Sequence, residues 1–117
     1  MRHVPRERLH LIIPPMIEEN EELKPAFQNI AGLCAALYEE MVNNHNIALE
    51  DARFILPIGT ETQIVMTCNF RQWLHVLKMR LYKNAQWEIR NVMEEIWKQL
   101  RQISPNIFHP KYREYWE

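Results

Sequence analysis

The sequence predicts a mostly helical α+β fold, in which three helices pack with one or two short strands. Three observations point there. Apolar residues recur at three- and four-residue steps in three separate segments, residues 26–43, 70–81 and 85–103. Apolar and polar residues alternate over 63–69, the period of a half-buried strand. At 117 residues the chain is one domain's worth, with material for one modest core. The expected organisation is therefore a single domain over 1–117. Residues 1–25 form an extended leading segment and linker, and 109–117 form a tail.

Residues 9–13 are a short apolar run ended by Pro14-Pro15, read as a strand or an extended segment. Residues 18–22 are an acidic linker that Pro25 stops. In the first helix Phe27, Ile30, Cys34, Leu37, Tyr38 and Met41 form the apolar stripe, and Asn44-His45-Asn46 ends it, asparagine being tolerant of the left-handed conformation. Residues 50–57 are a junction, and Pro57, Gly59 and Thr60 mark a loop. In the strand at 63–69, Ile64, Met66 and Cys68 share one side. Asn69 caps the second helix, whose face is Trp73, Leu74, Leu77 and Leu81. The third helix carries Ile89, Val92, Met93, Ile96 and Leu100, and Pro105 stops it. The tail from residue 108 is aromatic and charged, and reads either as a docking segment or as disordered.

Composition excludes several classes. With 14 Lys+Arg against 15 Asp+Glu, the formal charge of −1 argues against a basic nucleic-acid binder. No apolar run approaches a membrane span, and the first residues lack the apolar core of a signal peptide. Two cysteines, Cys34 and Cys68, form no disulfide framework, so a reducing, cytoplasmic setting is expected. The five histidines show no zinc-binding spacing, so no metal is expected. Only 2 glycines exclude a Gly-rich phosphate loop.

Arg80 is the most informative single residue. Helical spacing puts it over Trp73 and near Leu77, on the face expected to pack. A guanidinium there needs a partner, either a protein carboxylate, solvent reached from the helix end, or an anionic or polar-ring ligand. Arg71, His75 and Lys78 form a second row at i, i+4 and i+7. That row is either a solvated basic face or a phosphate-binding surface, helped in the second case by the helix N-terminus at Asn69 to Arg71. The four tryptophans fall at helical spacing and read as core or interface residues.

Several blocks stand in a distinctive order: Glu50-Asp51-Ala52-Arg53-Phe54-Ile55-Leu56-Pro57, then Thr67-Cys68-Asn69-Phe70-Arg71, then Leu77-Lys78-Met79-Arg80, then Asn84-Ala85-Gln86-Trp87-Glu88-Ile89-Arg90. Together they resemble the C-terminal half of the flavin-dependent thymidylate synthases, which show E-x-A-R-x-x-L-P, T-x-N-A-R, L-R and H-A-Q-x-E-I-R at these spacings. The resemblance covers about residues 2–108 and implies a partial fold of that family. It implies reductive methylation of deoxyuridylate (dUMP) to thymidylate (dTMP), with FAD as cofactor and NADPH and methylenetetrahydrofolate as co-substrates. By resemblance, Arg53 and Arg80 hold the nucleotide, with Arg80 near the pyrimidine ring as the catalytic group. Arg2 stands for the last arginine of the family signature R-H-R-x-x-S-x-N-E-x-S-x-R-Y. Asn69 and Arg71 match flavin-contacting residues. His75 and Asn84 occupy flavin-contacting positions where the family more often has Asn and His.

The rest of that signature lies upstream of the matching part. The expectation is a truncated gene product, one piece of a split enzyme or an isolated half, without turnover alone. Its partners would be dUMP and either further copies of itself, as in the family's homotetramers, or a companion chain carrying the N-terminal half. The alternative is a non-catalytic helical oligomerisation module descended from the family.

Overall fold

The structure, a computed structural model, describes residues 10–116, so Arg2 lies outside the described residues. The chain divides into two compact units, Met1–Ile64 and Val65–Glu117. The regular structure of both is helical, apart from one isolated β-bridge.

In the first unit, α1 (Pro15–Glu18) and α2 (Leu23–Asn44) are followed by α3 (Leu49–Ala52) and a 3-10 turn, Arg53–Ile55. The first long helix begins sooner than expected, at Leu23 rather than at residue 26. Asn20 Oδ1 accepts from the N–H groups of Glu22 at 3.1 Å and Leu23 at 2.9 Å, which starts α2 ahead of Pro25. Proline fits there because first-turn N–H groups have no intrahelical acceptor. The helix closes as asparagine predicts: Asn46 takes φ 51°, and the Ile47 N–H returns to the Met41 carbonyl at 3.0 Å.

The apolar arc of α2 is wider than the face that the first unit covers. Ala31 and Tyr38 are buried, whereas Leu23, Ile30, Leu33 and Leu37 are exposed. Of the predicted stripe, Ile30 and Leu37 therefore lie on the outside.

The leading segment makes an isolated antiparallel bridge from Leu11 to Thr60. The Ile12 N–H donates to Gly59 O, and the Glu61 N–H donates to His10 O, each at 2.7 Å. Gly59 is required by this close approach, since a Cβ there would stand 2.9 Å from Ile12 O and 3.2 Å from a Leu11 methyl. Gly59→Ala is expected to cost about 1–3 kcal/mol by overpacking. A thermal melt checks the loss, and faster amide exchange at Ile12 and Glu61 localises it.

The strand expected at 63–69 does not form. Residues 61–69 have no regular structure, and Ile64, Val65 and Met66 are exposed. Alternation describes what a strand would bury, but a strand also needs a neighbour for its backbone groups. The isolated bridge is the only β pairing among the described residues.

The second unit contains α4 (Phe70–Arg80), α5 (Trp87–Ile103) and α6 (Lys111–Glu114). Asn69 caps α4, its Oδ1 accepting from Gln72 N–H at 2.8 Å. Gln86 caps α5 by accepting from Glu88 and Ile89 N–H. The core is Leu77, Leu81, Met93, Trp97, Leu100 and Phe108. On α5 the buried line runs through Met93, Trp97 and Leu100, while Val92 of the expected stripe is exposed. The tail docks: Phe108 is fully buried, Trp116 packs on the core, and Arg113 forms a two-pronged pair with Glu94 at 2.7 and 3.0 Å. No described helix is long and apolar enough to cross a membrane.

Candidate functional site

Most of the residues singled out from sequence lie on or beside α4. Asn69 fixes its start, and its Oδ1 is committed to the Gln72 N–H, so its amide Nδ2 is the group left to donate outward. The cap takes one of the orphan first-turn donors. Among the described residues, the backbone N–H groups of Phe70 and Arg71 have no acceptor and remain at the positive end of the helix dipole.

Arg71, His75 and Lys78 are exposed and share one face, as their spacing predicts. The eleven residues of α4, FRQWLHVLKMR, carry no acid at all. Among the described residues no carboxylate forms an ion pair with Arg71, Lys78 or Arg80. The ion pairs of α5 and the tail, Lys98 with Glu95 and Arg113 with Glu94, leave these cations untouched. In the first of them, the hydrogen bond that the Lys98 ammonium donates to the Glu95 carboxylate raises the Lys98 pKa above its ordinary value.

Arg80 corrects the sequence reading. It is exposed rather than packed with Trp73 and Leu77. Leu77 and Leu81 carry the buried line, and Arg80 lies about 60° around the helix from Leu77. It also occupies the last residue of α4, where a long side chain leaves the packed face at the helix end. On the same geometry Arg80 is about 180° around the helix from Arg71. Within the second unit the structure therefore keeps Arg80 apart from the Arg71 row and presents two cationic faces.

Asn84 follows α4 in the turn to α5. It is exposed, and its Nδ2 donates to the Tyr82 hydroxyl at 3.3 Å. Arg90 pins the same turn by donating from Nη1 to the Lys83 carbonyl at 2.8 Å, a role the sequence reading missed. Its sequence signals are its place at the end of the block 84–90 and a cation seven residues beyond the break between two helices.

In the first unit, Arg53 begins the 3-10 turn and is exposed. The same unit holds a cleft of about 290 Å³, floored by Ala31, Gly32 and Ala35 of α2 and edged by His10, Gln28 and Thr60. Among the described residues no three His, Cys, Asp or Glu side chains converge as a metal site. Cys34 and Cys68 are both free and partly covered.

The chemistry of the α4 donor set suits an anion. Open backbone N–H groups, a guanidinium and a dipole terminus all donate, with no local acid to compete.

Comparison with known proteins adds a family. The family model described as thymidylate synthase complementing protein matches residues 1–106. A flavin-dependent thymidylate synthase from Geobacter sulfurreducens is 33% identical over 97 residues, covering 83% of this chain and 41% of the relative. One from Mycolicibacterium vanbaalenii is 34% identical, covering 92% and 48%. One from Pyrococcus furiosus is 38% identical over 93 residues, covering 80% and 36%. The chain thus spans less than half the length of these relatives.

Proposed function

The chain belongs to the thymidylate synthase complementing protein family, and from that premise we propose that it supplies the C-terminal part of an FAD- and dUMP-binding site that a second chain completes. The observation that carries this reading is the cationic helix α4, which has open N-terminal donors, no acid of its own and, among the described residues, no ion-pair partner for Arg71, Lys78 or Arg80. In this role the chain adopts part of the fold of the flavin-dependent thymidylate synthases and serves the reductive methylation of dUMP to dTMP. NADPH and methylenetetrahydrofolate are the co-substrates of that methyltransferase reaction.

Each residue has a part in the reading. Arg71 and the open N–H groups of the first turn receive the flavin phosphates, and Asn69 Nδ2 donates beside them. His75 extends the same row. Asn84 contacts the flavin from the turn after α4. Bound FAD supplies the hydride chemistry. Arg80 and Arg53 hold the nucleotide, and the Arg80 guanidinium stabilises charge developing on a pyrimidine carbonyl. Arg2 joins the nucleotide arginines, from outside the described residues. The second chain is either another copy or a companion bearing the upstream half. The exposed apolar row Leu23, Ile30, Leu33 and Leu37 gives it a surface to cover. A cytoplasmic setting fits the two free cysteines.

The same apolar row also favours a second reading, a non-catalytic oligomerisation module that binds neither ligand. Titration separates the two. FAD is expected to bind the 117-residue chain. Arg71→Glu is expected to weaken it at least about tenfold, the size of one charge-assisted contact. Arg80→Ala should weaken dUMP by a similar factor and leave the melting temperature unchanged, because the exposed guanidinium supports no packing. A chain that takes up neither ligand at millimolar concentration supports the module instead.

A further inference from the structure

The C-terminal tail reaches the one turn of α4 that the proposed flavin contact uses. Phe70 stands between Asn69 and Arg71 and is the first residue of α4. Its neighbours Asn69, Arg71 and Gln72 are exposed, so nothing they bury holds this turn down. The ring of Phe70 meets the ring of Phe108 edge-on, with centroids 5.5 Å apart. Phe108 is fully buried and meets Trp97 edge-on at 6.2 Å. Beyond it the chain returns along α5, where Arg113 grips Glu94 with two hydrogen bonds and Trp116 packs at 5.4 Å against Trp97. Trp97 is thus contacted by two residues of the tail, and the aromatic chain Trp116–Trp97–Phe108–Phe70 ends at the open N–H groups of α4. Phe108, Arg113 and Trp116 all lie beyond residues 1–106, the extent of the family match.

We propose that the tail is a positioning strap for the first turn of α4, with Arg113 and Trp116 as positioning residues that act through Trp97, Phe108 and Phe70. The proposal rests on the reading that this turn receives the flavin phosphates. Helix ends fray, and a turn that presents two N–H groups to a ligand loses affinity in proportion to the time it spends unformed. The strap would keep it formed through the edge-on contact of Phe108 with the Phe70 ring, which is itself 39% exposed. A tail that served only general stability would protect every part of α4 alike.

Amide exchange on the full chain, paired with FAD titration, separates the two roles. The Gln72 and Trp73 amides report the first turn, bonded to Asn69 Oδ1 and Asn69 O, and the Leu81 amide, bonded to Leu77 O, reports the far end. Arg113→Glu is expected to lower protection of Gln72 and Trp73 about tenfold while Leu81 changes little, and to weaken FAD several-fold. Trp116→Ala should act in the same direction. The swapped pair, Arg113→Glu with Glu94→Arg, should restore both readouts. Loss of protection that is equal at Gln72 and Leu81, no loss at Gln72, or a swapped pair that fails to restore it would overturn the strap. If the wild-type chain binds no FAD, the flavin reading falls, and the exchange result alone decides whether the strap positions the turn.

Discussion

Phe108→Ala is expected to unfold the second unit at ordinary temperature. Phe108 is fully buried in a small core of Leu77, Leu81, Met93, Trp97 and Leu100, and it makes edge contacts with both Phe70 and Trp97. Truncating a buried phenylalanine costs about 3–5 kcal/mol, from lost transfer energy together with the cavity left behind. A unit of roughly fifty residues has only about 3–8 kcal/mol of stability to lose. The loss should appear as a collapsed urea midpoint for the tryptophan signal, since Trp73, Trp87, Trp97 and Trp116 all lie in this unit. A variant that keeps its midpoint would mean that Phe108 does not hold the core together. Phe108→Leu keeps most of the volume and should cost far less.

The second large effect is catalytic. The 117-residue chain alone is expected to form no dTMP from dUMP, even with FAD, NADPH and methylenetetrahydrofolate supplied. The reason is electrostatic. Arg80 is exposed, and a guanidinium in water stabilises developing charge far less than one in a site closed to solvent. Adding a chain that carries the upstream half of a relative should restore turnover by covering these faces. In the restored complex, Arg80→Ala should lower kcat by about 10²–10³, the usual loss for one preorganised donor. Product formed by the lone chain would refute this expectation outright.

How much was legible in the sequence follows from how local each feature is. The Asn69 cap, the Asn46 closure and the stop of α5 before Pro105 rest on neighbouring residues, and all are readable from them. Pro25 misled because a proline stops a helix in its interior but is tolerated in the first turn, and Asn20 sets that register. The strand at 63–69 was illegible because alternation says nothing about whether a partner strand exists. Arg80 was placed on the packed face by angular spacing, which ignores that α4 ends at that residue. Trp97 escaped the predicted stripe of α5 because Phe108 and Trp116, residues distant in sequence, are what make it core. Of the candidate site, the row Arg71, His75 and Lys78 is legible as a face, and its lack of an ion-pair partner among the described residues emerges only from the fold. Arg53 stands on the first unit and Arg71 and Arg80 on the second, a division that periodicity does not reveal.

On the proposed function, α4 is a ligand surface rather than a solvated basic face. The most direct measurement is titration of the isotopically labelled 117-residue chain with FAD, following the backbone amides of α4. Phe70 and Arg71 are expected to shift first and furthest, and Arg71→Glu to remove the response while the fold is kept. Saturating FAD that leaves those two amides unmoved, or an unchanged response in Arg71→Glu, would contradict it.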